Sequence, residues 1–145
     1  VRDGGTLVVQ YQQTDIARPG ASPFAMTFAR PADRVTEEDA PVTVLRPDAR
    51  LLAAPNRIEA RDWDGWVQER ALYMPRTADA ALQPLLGMND PGEPQNPNAL
   101  LTAALGKGTY VYTSLALFRQ LPAGVPGAAR LFVNLLSAGT AGVTP

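Results

Sequence analysis

Hydrophobic residues follow two different spacings along the chain, and the two spacings predict different elements. Leu7, Val8 and Val9 form an unbroken apolar run, which predicts a short strand over Thr6–Gln10 that is covered on both faces, as in a parallel sheet. Near the other end of the chain, apolar residues recur at three- and four-residue steps, with Leu131 and Leu135 inside the stripe. This spacing predicts an amphipathic helix over residues 124–138.

Shorter segments complete the predicted order of elements. They indicate strands over residues 24–28, 42–45, 69–74 and 82–88, and one or two helical turns over residues 48–54, ended before Pro55. A β-hairpin is predicted from Ala99 to Leu115, because two apolar-rich runs flank the glycine-bearing turn Gly106-Lys107-Gly108. Residues 1–5 are typical of the end of a helix with its glycine stop.

This order of elements predicts an α/β domain in three layers, with the C-terminal helix packed on the sheet. The predicted helix end at residues 1–5, followed directly by a predicted buried strand, would be a unit whose first half is missing. The first residue is Val1 rather than Met. We therefore expect one domain over residues 1–145 that is truncated at its N-terminus, with a neighbouring domain or a second copy covering the strand edge that this leaves open.

Composition removes most kinds of catalytic chemistry. The chain contains no Cys and no His, which excludes disulfides, thiol nucleophiles, the usual zinc ligand sets and any histidine base. Thirteen basic residues against fourteen acidic ones give a net charge of −1, which argues against a nucleic-acid or anionic membrane surface. No apolar run approaches the roughly 20 residues that span a bilayer. The predominance of Arg, with Lys107 the single Lys, is typical of a GC-rich bacterial genome and leaves the compartment open.

Three further segments have a superficial likeness to catalytic or metal-binding motifs. Gly106-Lys107-Gly108 lacks both the earlier glycine and the following Ser or Thr of a phosphate loop. A tight turn accounts for it, with both glycines explained by their tolerance of positive φ. Ser114 follows a strand but has neither a nucleophile elbow nor a histidine to activate it. The consecutive acids at residues 37–39 point in different directions and are predicted to lie in a solvated loop. We assign no catalytic and no metal-binding residue.

The most distinctive local stretch surrounds Trp63 and Trp66, which lie on nearly the same face of a predicted helical turn capped by Asp62. One interpretation is a sugar-binding platform, with ring stacking on the indoles and hydrogen bonds from flanking polar groups. The other is an aromatic turn that anchors the core, which is the commoner fate of Trp. The candidate ligand-binding residues are Trp63, Trp66, Gln68, Glu69 and Arg70, joined by Gln10 and Gln12 at the end of the first strand and by Asn89 and Asp90 in a later loop.

Several motifs occur in an order that is informative as a set. They are residues 4–11 (Gly-Gly-Thr-Leu-Val-Val-Gln-Tyr), 41–45, 55–58 (Pro-Asn-Arg-Ile), 66–70 (Trp-Val-Gln-Glu-Arg), 85–94, 106–113 (Gly-Lys-Gly-Thr-Tyr-Val-Tyr-Thr) and 118–127. Together they resemble the C-terminal region of long bacterial PIG-L (LmbE-like) deacetylases. That region is similar to class I glutamine amidotransferase-like and ThuA-like domains. The resemblance spans nearly the whole chain.

This resemblance implies the C-terminal part of a flavodoxin-like fold and a parent enzyme that removes N-acetyl groups from amino sugars. The zinc site of such enzymes would lie only in an N-terminal domain outside this chain, and residues 116–118 (Ala-Leu-Phe) stand where ThuA-like proteins carry a histidine. Two functions follow as hypotheses. The chain is either a structural accessory domain that packs on the deacetylase domain or another subunit, or a carbohydrate-binding module that presents substrate to the distant zinc site.

Overall fold

The computed structural model describes residues 1–139, and nine short strands account for most of its regular structure. In chain order they are β1 (Thr6–Gln10), β2 (Met26–Thr27), β3 (Asp33–Val35), β4 (Val42–Val44), β5 (Ala71–Met74), β6 (Thr77–Ala78), β7 (Gln83–Met88), β8 (Asn96–Leu105) and β9 (Gly108–Thr113). The α-helices are α1 (Arg50–Ala53), α2 (Leu117–Gln120) and α3 (Pro126–Leu136), and two 3₁₀ turns cover Thr14–Ala17 and Ala60–Trp63. The described chain is therefore mixed α/β, with mostly strands and few helices.

Five of the strands form one sheet in the order β1-β9-β8-β7-β4. β1 runs parallel to β9, and every other neighbouring pair in this sheet is antiparallel. The short strands β2 and β6 pair with each other, as do β3 and β5. The parallel pair joins residues that are about a hundred positions apart in sequence, as in the register Val8↔Val111.

The predicted hairpin is confirmed, and its two glycines have different reasons to be there. Gly106 has a φ of 64°, which glycine adopts without a steric penalty. Gly108 has no such requirement; a Cβ there would collide with the backbone oxygens of Val1 and Gly5. The expectation that positive φ explains both glycines is therefore wrong for Gly108, which is needed because the N-terminal segment packs directly on the turn.

The two faces of the sheet carry separate core clusters. Side chains alternate along β9, so Val111 faces the cluster formed with the helices, whereas Tyr110 and Tyr112 face the opposite cluster. Leu131 and Leu135 of α3 are buried on the helical side, as the stripe predicts. Burying each such side chain contributes roughly 1.5–3 kcal/mol.

Three expectations differ from the observed fold. Residues 2–4 form turns and not the end of a helix, with the amides of Gly4 and Gly5 donating to the Val1 carbonyl. Among the described residues, the α-helices contribute to one core cluster only, and the opposite face is covered by loops, the β2–β6 ladder and a 3₁₀ turn. Strand β1 lies at a sheet edge, in agreement with the open edge expected for it, but Leu7 is 40% exposed rather than covered on both faces.

Candidate functional site

The structure separates the predicted ligand-binding residues into three regions. Trp63, Trp66 and Arg70 lie in the core, whereas Asp90 anchors a loop beside a surface cleft that Asn89 lines. Gln10 and Gln12 lie at the carboxyl end of β1, where Glu69 joins them through its hydrogen bond with Tyr11, and Gln68 precedes Glu69 with its backbone amide bonded to Glu38. The nine side chains therefore do not form one site.

The two indoles pack inside the protein. Trp63 is 7% exposed and Trp66 is 3% exposed, and their ring centroids lie 5.2 Å apart. The Trp66 Nε1 donates a hydrogen bond of 3.0 Å to the Asp62 carbonyl. Neither ring offers a face on which a sugar could stack, so the structure favours the core-anchoring interpretation of this pair.

The local cap also differs from the prediction. Asp62 is the third residue of the 3₁₀ turn, not its cap, and its carboxylate accepts a hydrogen bond from the Glu59 amide at 2.8 Å. The same carboxylate pairs with Arg130 of α3 at 2.9 Å. Gly127 allows this close approach, because a Cβ at that position would collide with the Asp62 carbonyl. Asp62 therefore joins the turn to α3.

Arg70 is a buried cation with a structural role. Its guanidinium donates hydrogen bonds to the carbonyls of Ala40 and Trp63, and it lies 5.6 Å from the Trp66 ring centroid. Burial lowers the pKa of Arg70, although arginine remains charged under ordinary conditions. Since these donors are used within the core, Arg70 is not available to bond a ligand.

The chain instead assembles a different group of side chains at the carboxyl end of β1, which we call the Tyr11 cluster. Its central contact is a hydrogen bond of 2.7 Å from the Tyr11 hydroxyl to Glu69 Oε1. Arg119 Nε donates to the same oxygen at 3.0 Å. The rings of Tyr73 and Phe118 lie 5.9 Å and 4.5 Å from the Tyr11 ring, both in edge-on geometry. The cluster thus consists of Tyr11, Glu69, Tyr73, Phe118 and Arg119.

Three separate segments position these side chains. Tyr11 follows β1 directly, and its amide donates to the carbonyl of Thr113 at the end of β9. Tyr73 lies in β5, which is tied to the segment after β9 by the hydrogen bond from the Leu72 amide to the Ser114 carbonyl. Phe118 and Arg119 lie in α2. The cluster therefore forms where the two parallel strands end, the edge at which open α/β sheets bind ligands.

Electrostatics in the cluster follow from partial burial. Burial, together with the hydrogen bond to Glu69, raises the pKa of Tyr11 above its ordinary value, so this phenol stays protonated and donates. The hydrogen bond to Glu69 raises the pKa of Arg119. Phe118 is 48% exposed, and the Arg119 guanidinium carbon lies 4.9 Å from its ring centroid. The carboxylate and guanidinium balance one another, which leaves a neutral, partly aromatic surface.

The backbone of the Tyr11 cluster is strained. Among residues 1–139, three residues other than glycine have positive φ: Tyr11 at 46°, Gln68 at 66° and Tyr73 at 55°. Two belong to the cluster and Gln68 precedes Glu69. Such residues cost about 1–3 kcal/mol each and concentrate at binding and active sites.

A second surface feature is a cleft of about 820 Å³ between the loops around residues 29–34 and 88–97. Four of its charged side chains are paired, since Arg76 forms two hydrogen bonds of 2.6 Å with Asp33 and Arg34 pairs with Glu93, whereas Arg30 lines the cleft without such a contact among the described residues. Asn89 lines this cleft. The paired charges stabilise the loops, and no aromatic ring lines the cleft, so the geometry does not match the sugar site expected from the sequence.

The outward side of α3 is apolar. Positions 126, 129, 133 and 136 face solvent and carry Pro, Ala, Val and Leu, with Val133 46% and Leu136 59% exposed. The two polar side chains of the helix are both hydrogen-bonded to other segments, Asn134 inside the core and Arg130 at the surface with 36% exposure. Arg130 bonds Asp62, and Asn134 bonds the carbonyls of Leu51 and Asn56. An apolar outward helix face of this kind is typical of a surface that another protein covers.

Sequence reasoning missed the aromatic part of the Tyr11 cluster. Tyr11 and Glu69 are 58 positions apart, and Arg119 is 50 positions from Glu69, so no local motif connects them. The usable signal was an aromatic residue directly after the predicted strand, between Gln10 and Gln12. Within residues 1–139 no group of acidic side chains is arranged to hold a metal ion, and no helix there has the length and apolar character to cross a membrane.

In comparisons with known proteins, no family model matches this chain, and neither a curated protein nor a solved structure shows significant similarity to it.

Proposed function

We propose that this chain is a non-catalytic accessory domain of a PIG-L/LmbE-like N-acetyl sugar deacetylase, which packs on the deacetylase domain or on another subunit. The observation that carries the proposal is the apolar outward face of α3. Leu136 and Val133 keep much of their surface in water, whereas the polar side chains of the same helix are hydrogen-bonded to other segments. Covering such side chains is favourable by about 25 cal/mol per Å².

The neighbouring edge of the sheet supports the same role. Strand β1 pairs with β9 on one side only among the described residues, and Leu7 on this strand is exposed. The end of α3 lies close to the start of β1, where Gly139 leaves no room for a Cβ beside Thr6. An unpaired strand edge next to an apolar helix face is a surface that soluble proteins usually cover.

We also infer that the sheet is the C-terminal part of a flavodoxin-like, class I glutamine amidotransferase-like fold. The parallel β1–β9 pair supports this inference, as does α3, which follows β9 and packs on one face of the sheet. The three antiparallel strands on the far side of β9 and the loop-covered second face depart from a simple doubly wound pattern. The proposed identity of the parent enzyme rests on the resemblance of the motifs to PIG-L-associated regions.

The proposal is tested by measuring binding between this chain and the zinc-dependent deacetylase domain proposed for the same protein. That domain is supplied as a separate polypeptide. We expect binding by calorimetry, or self-association by analytical ultracentrifugation. Either should weaken at least about tenfold in Val133→Asp and Leu136→Asp, because a carboxylate would be buried in the contact. Phe118→Ala removes an exposed apolar side chain outside this face and serves as the control. A chain that stays monomeric and binds no such domain at high micromolar concentration contradicts the proposal.

A second measurement tests the non-catalytic part. The chain alone, incubated with N-acetylglucosaminides and zinc, should release no acetate, and it should not deamidate glutamine. Measurable turnover that scales with protein concentration would refute an accessory role.

A further inference from the structure

We propose that the Tyr11 cluster is a binding site for a neutral carbohydrate, located at the carboxyl end of β1 rather than at the tryptophan pair. This inference does not depend on the packing role of α3, because it concerns other side chains. Its core is the contact of Tyr11 and Arg119 with Glu69 Oε1 beside the exposed ring of Phe118.

The hydrogen bonding of the Glu69 carboxylate is the first feature that supports the proposal. Both hydrogen bonds described for it end on Oε1. Its Oε2 accepts no hydrogen bond from residues 1–139 and is not fully buried there. The Glu69 side chain as a whole is 13% exposed. A carboxylate that is held at one oxygen and keeps capacity at the other can accept a hydroxyl hydrogen from a ligand.

The charge balance of the Tyr11 cluster indicates a ligand without net charge. Glu69 is paired with Arg119, so the cluster offers no unbalanced charge that would select an anion or a cation. The exposed polar residues next to it in sequence, Gln10, Gln12 and Gln68, are uncharged amides. A balanced carboxylate–guanidinium pair with uncharged amides next to it in sequence suits a ligand rich in hydroxyl groups and without net charge.

The aromatic rings of the Tyr11 cluster are the third feature that supports the proposal. The Tyr11 ring contacts the rings of Tyr73 and Phe118 edge-on, and Phe118 is 48% exposed at the surface. Aromatic rings beside polar groups supply the apolar contact that binds the C–H faces of a sugar ring. The cation–π contact of Arg119 on Phe118 holds the guanidinium in place before any ligand arrives.

The strained backbone in and beside the Tyr11 cluster is the fourth feature that supports the proposal. Tyr11, Gln68 and Tyr73 are held at positive φ, which positions two aromatic rings and the residue before Glu69. A preorganised binding surface would benefit from this conformation, because the ligand then loses less affinity to ordering of the site.

The proposal is tested by titrating chitotetraose, cellotetraose and maltotetraose into the chain, with calorimetry and amide NMR spectra as readouts. We expect saturable binding of at least one of them at micromolar to millimolar concentration. The perturbed amides should cluster at Tyr11, Glu69, Phe118 and Arg119. Glucose 6-phosphate should bind no more tightly than glucose, because the site is electrically balanced.

Two substitutions make the test specific. Phe118→Ala and Glu69→Gln should each lower the affinity about tenfold, with the fold retained by circular dichroism. Leu136→Ala and Glu37→Gln are the matched controls, since they change an exposed apolar and an exposed acidic residue elsewhere, and they should bind as the parent chain does. Absence of binding for all three oligosaccharides overturns the proposal. Perturbations that map to the cleft around residues 29–34 and 88–97 overturn it as well.

The two proposals fail separately. Loss of sugar binding in Phe118→Ala with protein association unchanged supports both. A chain that binds the deacetylase domain but no sugar removes only this inference, and a chain that binds sugar but no protein removes only the accessory role.

Discussion

The Tyr11 hydroxyl donates a hydrogen bond of 2.7 Å to Glu69 Oε1, and this contact joins the end of β1 to the segment before β5. It brings together two residues that are 58 positions apart. Arg119 bonds the same oxygen from α2, so three segments of the chain meet at one carboxylate.

Tyr11→Phe is expected to lower the free energy of unfolding by about 1 kcal/mol, because the carboxylate loses a donor while the ring contacts remain. Urea unfolding monitored by tryptophan fluorescence measures this. Tyr73→Phe is the matched control, since no hydrogen bond of the Tyr73 hydroxyl is described within residues 1–139. Equal effects of the two substitutions would show that the Tyr11–Glu69 bond contributes nothing.

Gln68→Gly is expected to stabilise the chain by about 0.5–1 kcal/mol, because glycine adopts the φ of 66° without steric strain. The hydrogen bond from the backbone amide of residue 68 to Glu38 is kept. Gln13→Gly, at an exposed position with a φ of −72°, should give no gain. Thermal unfolding of both variants distinguishes strain relief from a general effect of glycine.

Leu135→Ala and Leu136→Ala form a matched pair on α3. Leu135 is fully buried, so its truncation should cost about 2–5 kcal/mol. Leu136 is 59% exposed, and its truncation should change stability by less than about 0.5 kcal/mol in the monomer. Chemical denaturation checks both values. A large loss for Leu136→Ala at low protein concentration would mean that this face is already packed within the chain.

Asp90 should make the chain less stable in acid. Burial opposes its charged form, but hydrogen bonds from the Glu37 and Thr36 amides and the Thr36 hydroxyl outweigh burial and lower its pKa. The pKa of Asp90 in the folded chain lies below the unfolded value of about 3.9. The ionised carboxylate therefore contributes to the free energy of unfolding above about pH 3.9, and this contribution is lost as pH falls through the folded pKa.

Asp90→Asn should therefore cost about 1–3 kcal/mol at neutral pH and flatten the acid limb of the stability curve. Urea unfolding across the acid range measures this, with the exposed Asp48→Asn as control. An unchanged acid limb in Asp90→Asn would disprove the assignment.

Tyr112 should make the chain less stable in alkali. Its hydroxyl is buried and has no hydrogen-bond partner among the described residues, and burial raises its pKa. The unfolded phenol ionises near pH 10, whereas the folded phenol stays protonated to a higher pH. The free energy of unfolding therefore keeps its full value below about pH 10 and falls as pH rises towards the folded pKa. Tyr112→Phe should remove this dependence and stabilise the chain by about 1 kcal/mol at neutral pH, because an unpaired hydroxyl is no longer buried.

Tyr110→Phe is the matched control on the same face of the sheet. The Tyr110 hydroxyl lies 3.1 Å from the Ser22 hydroxyl, so its removal should cost stability rather than add it. Stabilisation by both substitutions would show that the difference in hydrogen bonding has no consequence.

Local patterning was enough to predict the elements whose signal is contained in a short window. The three- and four-residue spacing around Leu131 and Leu135 predicted α3, and the turn at Gly106 predicted the β8–β9 hairpin, because in each case neighbouring residues determine the conformation. The run at Leu7 predicted β1 but not the exposure of Leu7, since burial depends on which elements lie beside the strand.

Tertiary structure alone decided how the polar residues are used. In the sequence, Trp66, Glu69 and Arg70 lie within one short segment, which made them joint candidates for a ligand site. The fold buries Trp66 and Arg70 in the core and leaves Glu69 at the surface with Tyr11 and Arg119. The physical reason is that a helical stripe or a turn depends on spacing along the chain, whereas a hydrogen-bonded cluster depends on which distant segments the sheet brings together.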